Sequence, residues 1–190
     1  MPPKPKITKE MILTTVLDIT RETGFESVNA RNIADKLTCS TRPIFTCYKN
    51  MDELKSEFLH FAFDFYTQYV DTYRHTANKN PCLVLPLSYI AFAREETHLF
   101  QLLFISDMDL NMTEANDFYR EPENEEKAKI FSDAIGIELA QAKVIFLTLF
   151  LYSHGLAVLT ATQKINLSES NIENMMTDLL TALIKQNNTN

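Results

Sequence analysis

Three glycines in 190 residues constrain this chain more than any other feature. Hairpins and β-sandwiches turn on residues with positive φ, a conformation that glycine supplies. A glycine content under 2%, against about 7% in ordinary proteins, argues against an all-β fold. Gly24, Gly136 and Gly155 also stand more than 15 residues apart. No glycine-rich phosphate loop can be built from them, which removes most nucleotide-binding α/β folds.

Helical periodicity fills the space that glycine leaves. Ile12, Leu13, Val16, Leu17 and Ile19 form an apolar stripe over residues 8–23, and Gly24 closes it. Asn29 is a good N-cap for a short helix through Ile33, Ala34 and Leu37. Ser40 caps another after a very tight turn, and Asn50 with Glu53 opens a long fourth helix. After a break at 78–81, a helix with a kink near Pro86 is expected, then one through Leu99 and Phe104. Residues 106–126 read as an acidic loop with one helical turn. Helical pattern resumes over 125–135, 138–163 and 168–185. About nine helices and no strand make the expected fold all-α. One domain with an appendage suits the length, and no disulfide or metal is needed to hold such a core.

Charge is unevenly placed. Residues 1–50 carry a net +3 and the remainder −10. A basic head on an acidic body suggests one surface meant for polyanions and another kept off them. The run Pro2, Pro3, Lys4, Pro5, Lys6 reads as a flexible basic arm. Cys39, Cys47 and Cys82 form no C-x-x-C pair, and no secretory segment follows Met1, so a reduced, cytoplasmic protein is expected.

Two short helices at about 30–37 and 41–48, joined by a turn of three or four residues, describe a helix-turn-helix. Arg42 can pair with the O6 and N7 of guanine. Thr41 and Thr46 suit a thymine methyl or a phosphate, while Ser40, Tyr48 and Lys49 suit phosphate clamping. Around this motif stand Gly24-Phe25, Asn29, Ile33-Ala34, the run Ser40 to Tyr48, and Asp52-Glu53-Leu54. On these residues the chain resembles the TetR family of bacterial one-component repressors. Ser153-His154-Gly155-Leu156-Ala157 also looks like a common segment of that family's dimerisation helix. Four positions depart from the pattern: Thr38 replaces a turn glycine, Met51 replaces a lysine, and Phe45 and Tyr48 swap an aromatic pair.

The resemblance implies a DNA-binding domain over 5–65, with its motif at 29–48, and a regulatory domain over 66–190. It further implies a homodimeric repressor on a palindromic DNA operator, nucleoid-associated in the cytoplasm when bound. Asn29, Ser40, Thr41, Arg42, Thr46, Tyr48 and Lys49 are then the DNA-contacting set. Dimerisation is expected through the last two helices, with Leu149, Leu156, Leu159, Met176, Leu179 and Leu183 at the interface. A small apolar or aromatic effector is expected against Phe61, Phe65, Tyr69, Phe92, Phe100, Phe104, Phe146, Phe150 and His154. An architectural or division-control protein on the same scaffold, without an inducer, is the alternative.

Other constellations fall short. Asp107-x-Asp109-x-Asn111 begins like a calcium loop, but Met112 and Phe118 occupy the positions that need glycine and glutamate. Glu57, His60 and Asp64 share a helix face and read as a solvated charged surface, so no metal is expected. Cys39 and Cys47 read as small packing residues. No nucleophile–base pair is present, so no enzyme activity and no cofactor are expected. Residues 144–163 carry no formal charge, yet their hydroxyls, His154 and Gln163 favour a helix buried on all sides over a membrane span.

Overall fold

The computed structural model describes residues 7–77, 79–108 and 110–187, and all secondary structure among them is helical. The Pro2–Lys6 arm, Asn78 and Asp109 lie outside the described residues. Nine α-helices run in order: α1 Lys9–Thr23, α2 Ala30–Lys36, α3 Arg42–Cys47, α4 Met51–Thr76, α5 Val84–Glu95, α6 Thr97–Gln101, α7 Pro122–Ile135, α8 Leu139–Ala161 and α9 Glu169–Asn187. Two compact units divide them. The first comprises the described residues through Gln68 together with Glu96–Asp107, and the second comprises Tyr69–Glu95 with the residues from 108 onward.

In the first unit α1 starts where the Thr8 hydroxyl accepts from the Met11 amide at 3.2 Å. Its stripe of Ile12, Leu13, Val16, Leu17 and Ile19 is buried, and it packs on α2 and α6. Ile33, Ile44, Leu54 and Phe58 are fully buried, and Phe25 stacks on Phe58 with ring centres 5.6 Å apart. The far end of α1 is fixed by charge. Arg21 Nε and Nη2 donate to the two Glu96 carboxylate oxygens at 2.7 and 2.6 Å, and His98 Nδ1 donates to the Arg21 carbonyl at 3.0 Å. The Glu96 hydrogen bond raises the Arg21 pKa above its ordinary value. α6 runs on into a π-helical turn, Leu102–Ser106, which buries Leu102, Leu103 and Phe104.

The second unit is organised by α5 and α8. α5 buries Val84, Leu87, Tyr89, Ile90, Phe92 and Ala93 against α8 and α9. Pro86 lies in its first turn, where a missing N–H leaves no intrahelical bond unmade. The expected kink is therefore replaced by a helix start, preceded by the 3-10 turn Pro81–Leu83. The acidic loop holds a 3-10 helix, Ala115–Arg120. α7 opens at Pro122, three residues before the pattern suggested, because proline is favoured at the first helical position. Ser168 starts α9, its hydroxyl accepting from the Asn171 amide at 3.2 Å. α8 is long and apolar enough to cross a membrane by length and composition, yet it packs against α5, α7 and α9.

Candidate nucleic-acid interface

The helix-turn-helix lies wholly within the first unit. Asn29 takes an extended backbone, and its Oδ1 accepts from the Arg31 and Asn32 amides at 3.1 and 3.0 Å. Both amides would otherwise be orphans of the first turn. Asn29 thus serves the start of α2, its amide nitrogen turning back to the Ser27 carbonyl at 3.3 Å.

The turn after α2 closes by two backbone bonds. The Cys39 amide reaches the Ala34 carbonyl at 2.9 Å and the Thr38 amide reaches that of Asp35 at 3.1 Å. This Schellman pattern puts its C′ residue in the left-handed region, and Thr38 has φ +52°. A β-branched residue there costs about 1–2 kcal/mol relative to its right-handed form. The motif keeps its turn geometry and carries the strain.

α3 begins at Arg42, with Thr41 as N-cap and no side-chain capping bond. Ser40 therefore does not start this helix as expected, because the chain stays in the turn for one residue more. Ile44 is fully buried and Tyr48 is 2% exposed. These two, four residues apart, hold α3 to the unit and turn the rest of it outward. Arg42, Thr41, Phe45, Thr46 and Lys49 are exposed.

Tyr48 corrects the expected phosphate clamp. Its hydroxyl is sealed from solvent and makes no hydrogen bond of normal geometry. Lys9 Nζ sits 4.6 Å from the ring centre and pairs with Glu57 at 2.5 Å. Burial, and then the Glu57 carboxylate, hold the phenol well above its ordinary pKa. The residue is an anchor.

Ion pairing sorts the cations. Lys9 pairs with Glu57, Arg21 with Glu96, and Lys36 with Glu22 at 2.7 Å. Among the described residues of the first unit, Arg31, Arg42, Lys49 and Lys55 are exposed and form no ion pair, Lys55 lying over the Phe25 ring at 5.6 Å from its centre. Arg31, at the start of α2, is an exposed, unpaired cation that the expected DNA-contacting set does not include. Its place beside the N-cap and off the buried Ile33–Ala34 face was the available signal. Next to Lys49, Asn50 and Glu53 form a reciprocal cap for α4: Glu53 Oε2 accepts from the Lys49 amide at 2.7 Å, and Asn50 Oδ1 from the Glu53 amide at 2.8 Å.

The expected effector wall divides between the units. Phe61, Phe65, Phe100 and Phe104 belong to the first; Tyr69, Phe92, Phe146, Phe150 and His154 belong to the second. Phe100 is fully buried and packs on Phe104 at 5.5 Å between ring centres, while Arg21 lies over Phe65. In the second unit Tyr69 packs edge-on to the buried Phe92 at 5.2 Å. Phe150 stacks with His154, whose Nδ1 lies 2.9 Å from the Tyr89 hydroxyl. Burial holds the His154 pKa below its ordinary value. A groove of about 460 Å³ in this unit is lined by Asn116, Tyr119, Leu139, Lys143, Val144 and Leu147 among others. None of the nine expected residues lines it.

The expected dimer set also needs correction. Leu149, Leu156 and Met176 are buried within the single chain, where α8 and α9 pack on each other and on α5. Leu179 and Leu183 are half-buried. Leu159 remains outward at 42% exposure, joined by Val144, Leu151 and Tyr152 at 62, 52 and 37%. Glu57 and His60, once grouped as a charged face, hold Lys9 and the Ser56 carbonyl respectively. In comparison with known proteins, no family model matches this chain and no curated sequence matches it.

Proposed function

We propose that this chain is a homodimeric, sequence-specific DNA-binding regulator of the TetR type, repressing transcription in the cytoplasm from a palindromic operator. The observation that carries the reading is the outward face of α2, the turn and α3. Arg31, Arg42 and Lys49 stand on or beside it without a carboxylate partner among the described residues, while Lys9, Arg21 and Lys36 are paired. A short helix held by two inward residues and presenting an arginine at its N-terminal end suits entry into a major groove. Arg42 reads a base edge; Arg31, Lys49 and the hydroxyls of Ser40 and Thr41 hold phosphates.

One motif per chain reads half an operator, so a two-fold partner is required. The outward apolar face of α8 supplies the surface for a second copy. A small apolar or aromatic effector favours the dimer form with the lower operator affinity and thereby releases DNA. No catalytic step and no cofactor enter this reading.

The test is fluorescence anisotropy with full-length protein and DNA from upstream of its own gene, alongside duplexes selected from random sequence. Wild type is expected to bind specifically. Arg42→Ala is expected to keep its helix content and lose the specific component. Equal binding of the two proteins to every duplex overturns the assignment.

A further inference from the structure

In the middle of the charged face stands an aromatic ring, with Phe45 50% exposed. The inward positions of α3 belong to Ile44 and Tyr48, and half of the Phe45 surface stays open to solvent beside them. Phe45 lies three residues after Arg42, which places the two on one side of the helix. The neighbouring Thr46 hydroxyl donates to the Arg42 carbonyl at 3.0 Å, so it is already engaged. That leaves Thr46 only a single methyl to offer, so the charged group and the largest apolar group facing outward on this helix are one guanidinium and one phenyl ring.

The major groove offers one apolar feature, the 5-methyl group of thymine, and one paired acceptor edge suited to arginine, the O6 and N7 of guanine. Three helical residues rise about 4.5 Å, against about 3.4 Å between successive base pairs. Resting on the DNA-binding reading above, we propose that Phe45 is a specificity-determining residue. Its ring packs on the methyl group of a thymine in the base pair next to the guanine held by Arg42.

The test uses the full-length protein and duplexes selected from random sequence. The enriched half-site is expected to contain a guanine with a thymine in an adjacent base pair. Replacing that thymine by deoxyuridine in one half-site removes only the methyl group. For wild type this is expected to weaken binding about fourfold, the value of one buried methyl. A deoxyuridine placed at a distant thymine of the same duplex is expected to change nothing. Phe45→Ala, at a half-exposed position, is expected to bind both duplexes alike. Three results overturn the inference while leaving the regulator reading in place: an enriched site with no thymine beside guanine, no loss with deoxyuridine for wild type, or the same loss for Phe45→Ala. Failure of wild type to enrich any sequence overturns both.

Discussion

α3 and α8 are opposite solutions to placing a helix. α3 has six residues and buries Ile44, with Tyr48 following at its end; Arg42, Phe45 and Thr46 face water. α8 has 23 residues, buries a broad face against three helices, and still shows Val144, Leu151 and Leu159 outside. A helix held by two side chains leaves its exterior free to be polar and charged. A helix that is apolar all round after its core is satisfied has an exterior suited to another apolar surface. On the reading proposed above, the contrast suits the first helix to polyanion contact and the second to self-association.

The contrast breaks most severely at Ile44. Ile44→Ala is expected to destabilise the first unit by about 3 kcal/mol, read as a lower urea midpoint. Arg42→Ala is expected to stay within about 0.5 kcal/mol in the same titration and to lose about tenfold or more in operator affinity. If the two variants behave alike, α3 does not separate anchoring from reading. Leu151→Glu acts on the other helix. It is expected to shift sedimentation from dimer to monomer while circular dichroism stays helical; an unchanged dimer would remove the outward face of α8 from the interface.

A smaller effect is expected from pH. Burial lowers the folded-state pKa of His154 from 6.5, so below pH 6.5 the unfolded chain takes up a proton that the folded chain refuses. Stability is therefore full above pH 6.5 and falls as pH drops toward the lower folded value. Chemical denaturation across that range in wild type and His154→Gln checks this, the variant lacking that part of the slope. Least of all, Thr38→Gly relieves a left-handed β-branched residue but loosens the unfolded chain, for a net gain of about 0.5–1 kcal/mol. A loss of stability instead would show that the threonine side chain supports the turn.

Much of the first unit was legible because its signals are local. Asn29, Asn50 with Glu53, and the stripe of α1 each act within four or five residues of sequence, and the structure places caps and buried faces there. Tyr48 was misread because outward and inward positions of a six-residue helix differ by one step, and a tyrosine suits both a phosphate and a core. Part of the expected dimer set lies inside the single chain for another reason. α8 has apolar residues on every side, so periodicity has no direction to report, and only packing against α5, α7 and α9 reveals which leucines are spent inside. The effector wall depends on contacts distant in sequence, which aromatic spacing alone does not specify.

The sorting of cations into paired and unpaired has a consequence for the ionic atmosphere of DNA. Each phosphate neutralised by a protein cation releases condensed counterions, and the logarithm of the binding constant falls with the logarithm of salt by about 0.9 per phosphate. Lys9 and Lys36 are already neutralised by Glu57 and Glu22, so they displace few ions. With Arg42 spent on a base, Arg31 and Lys49 of each protomer contribute about −4 to the slope for a dimer, to which a phosphate met by the unpaired Lys55 would add. On such a slope a fourfold rise in salt weakens operator binding by about two orders of magnitude, and the carboxylates that neutralise Lys9 and Lys36 keep it from being steeper still.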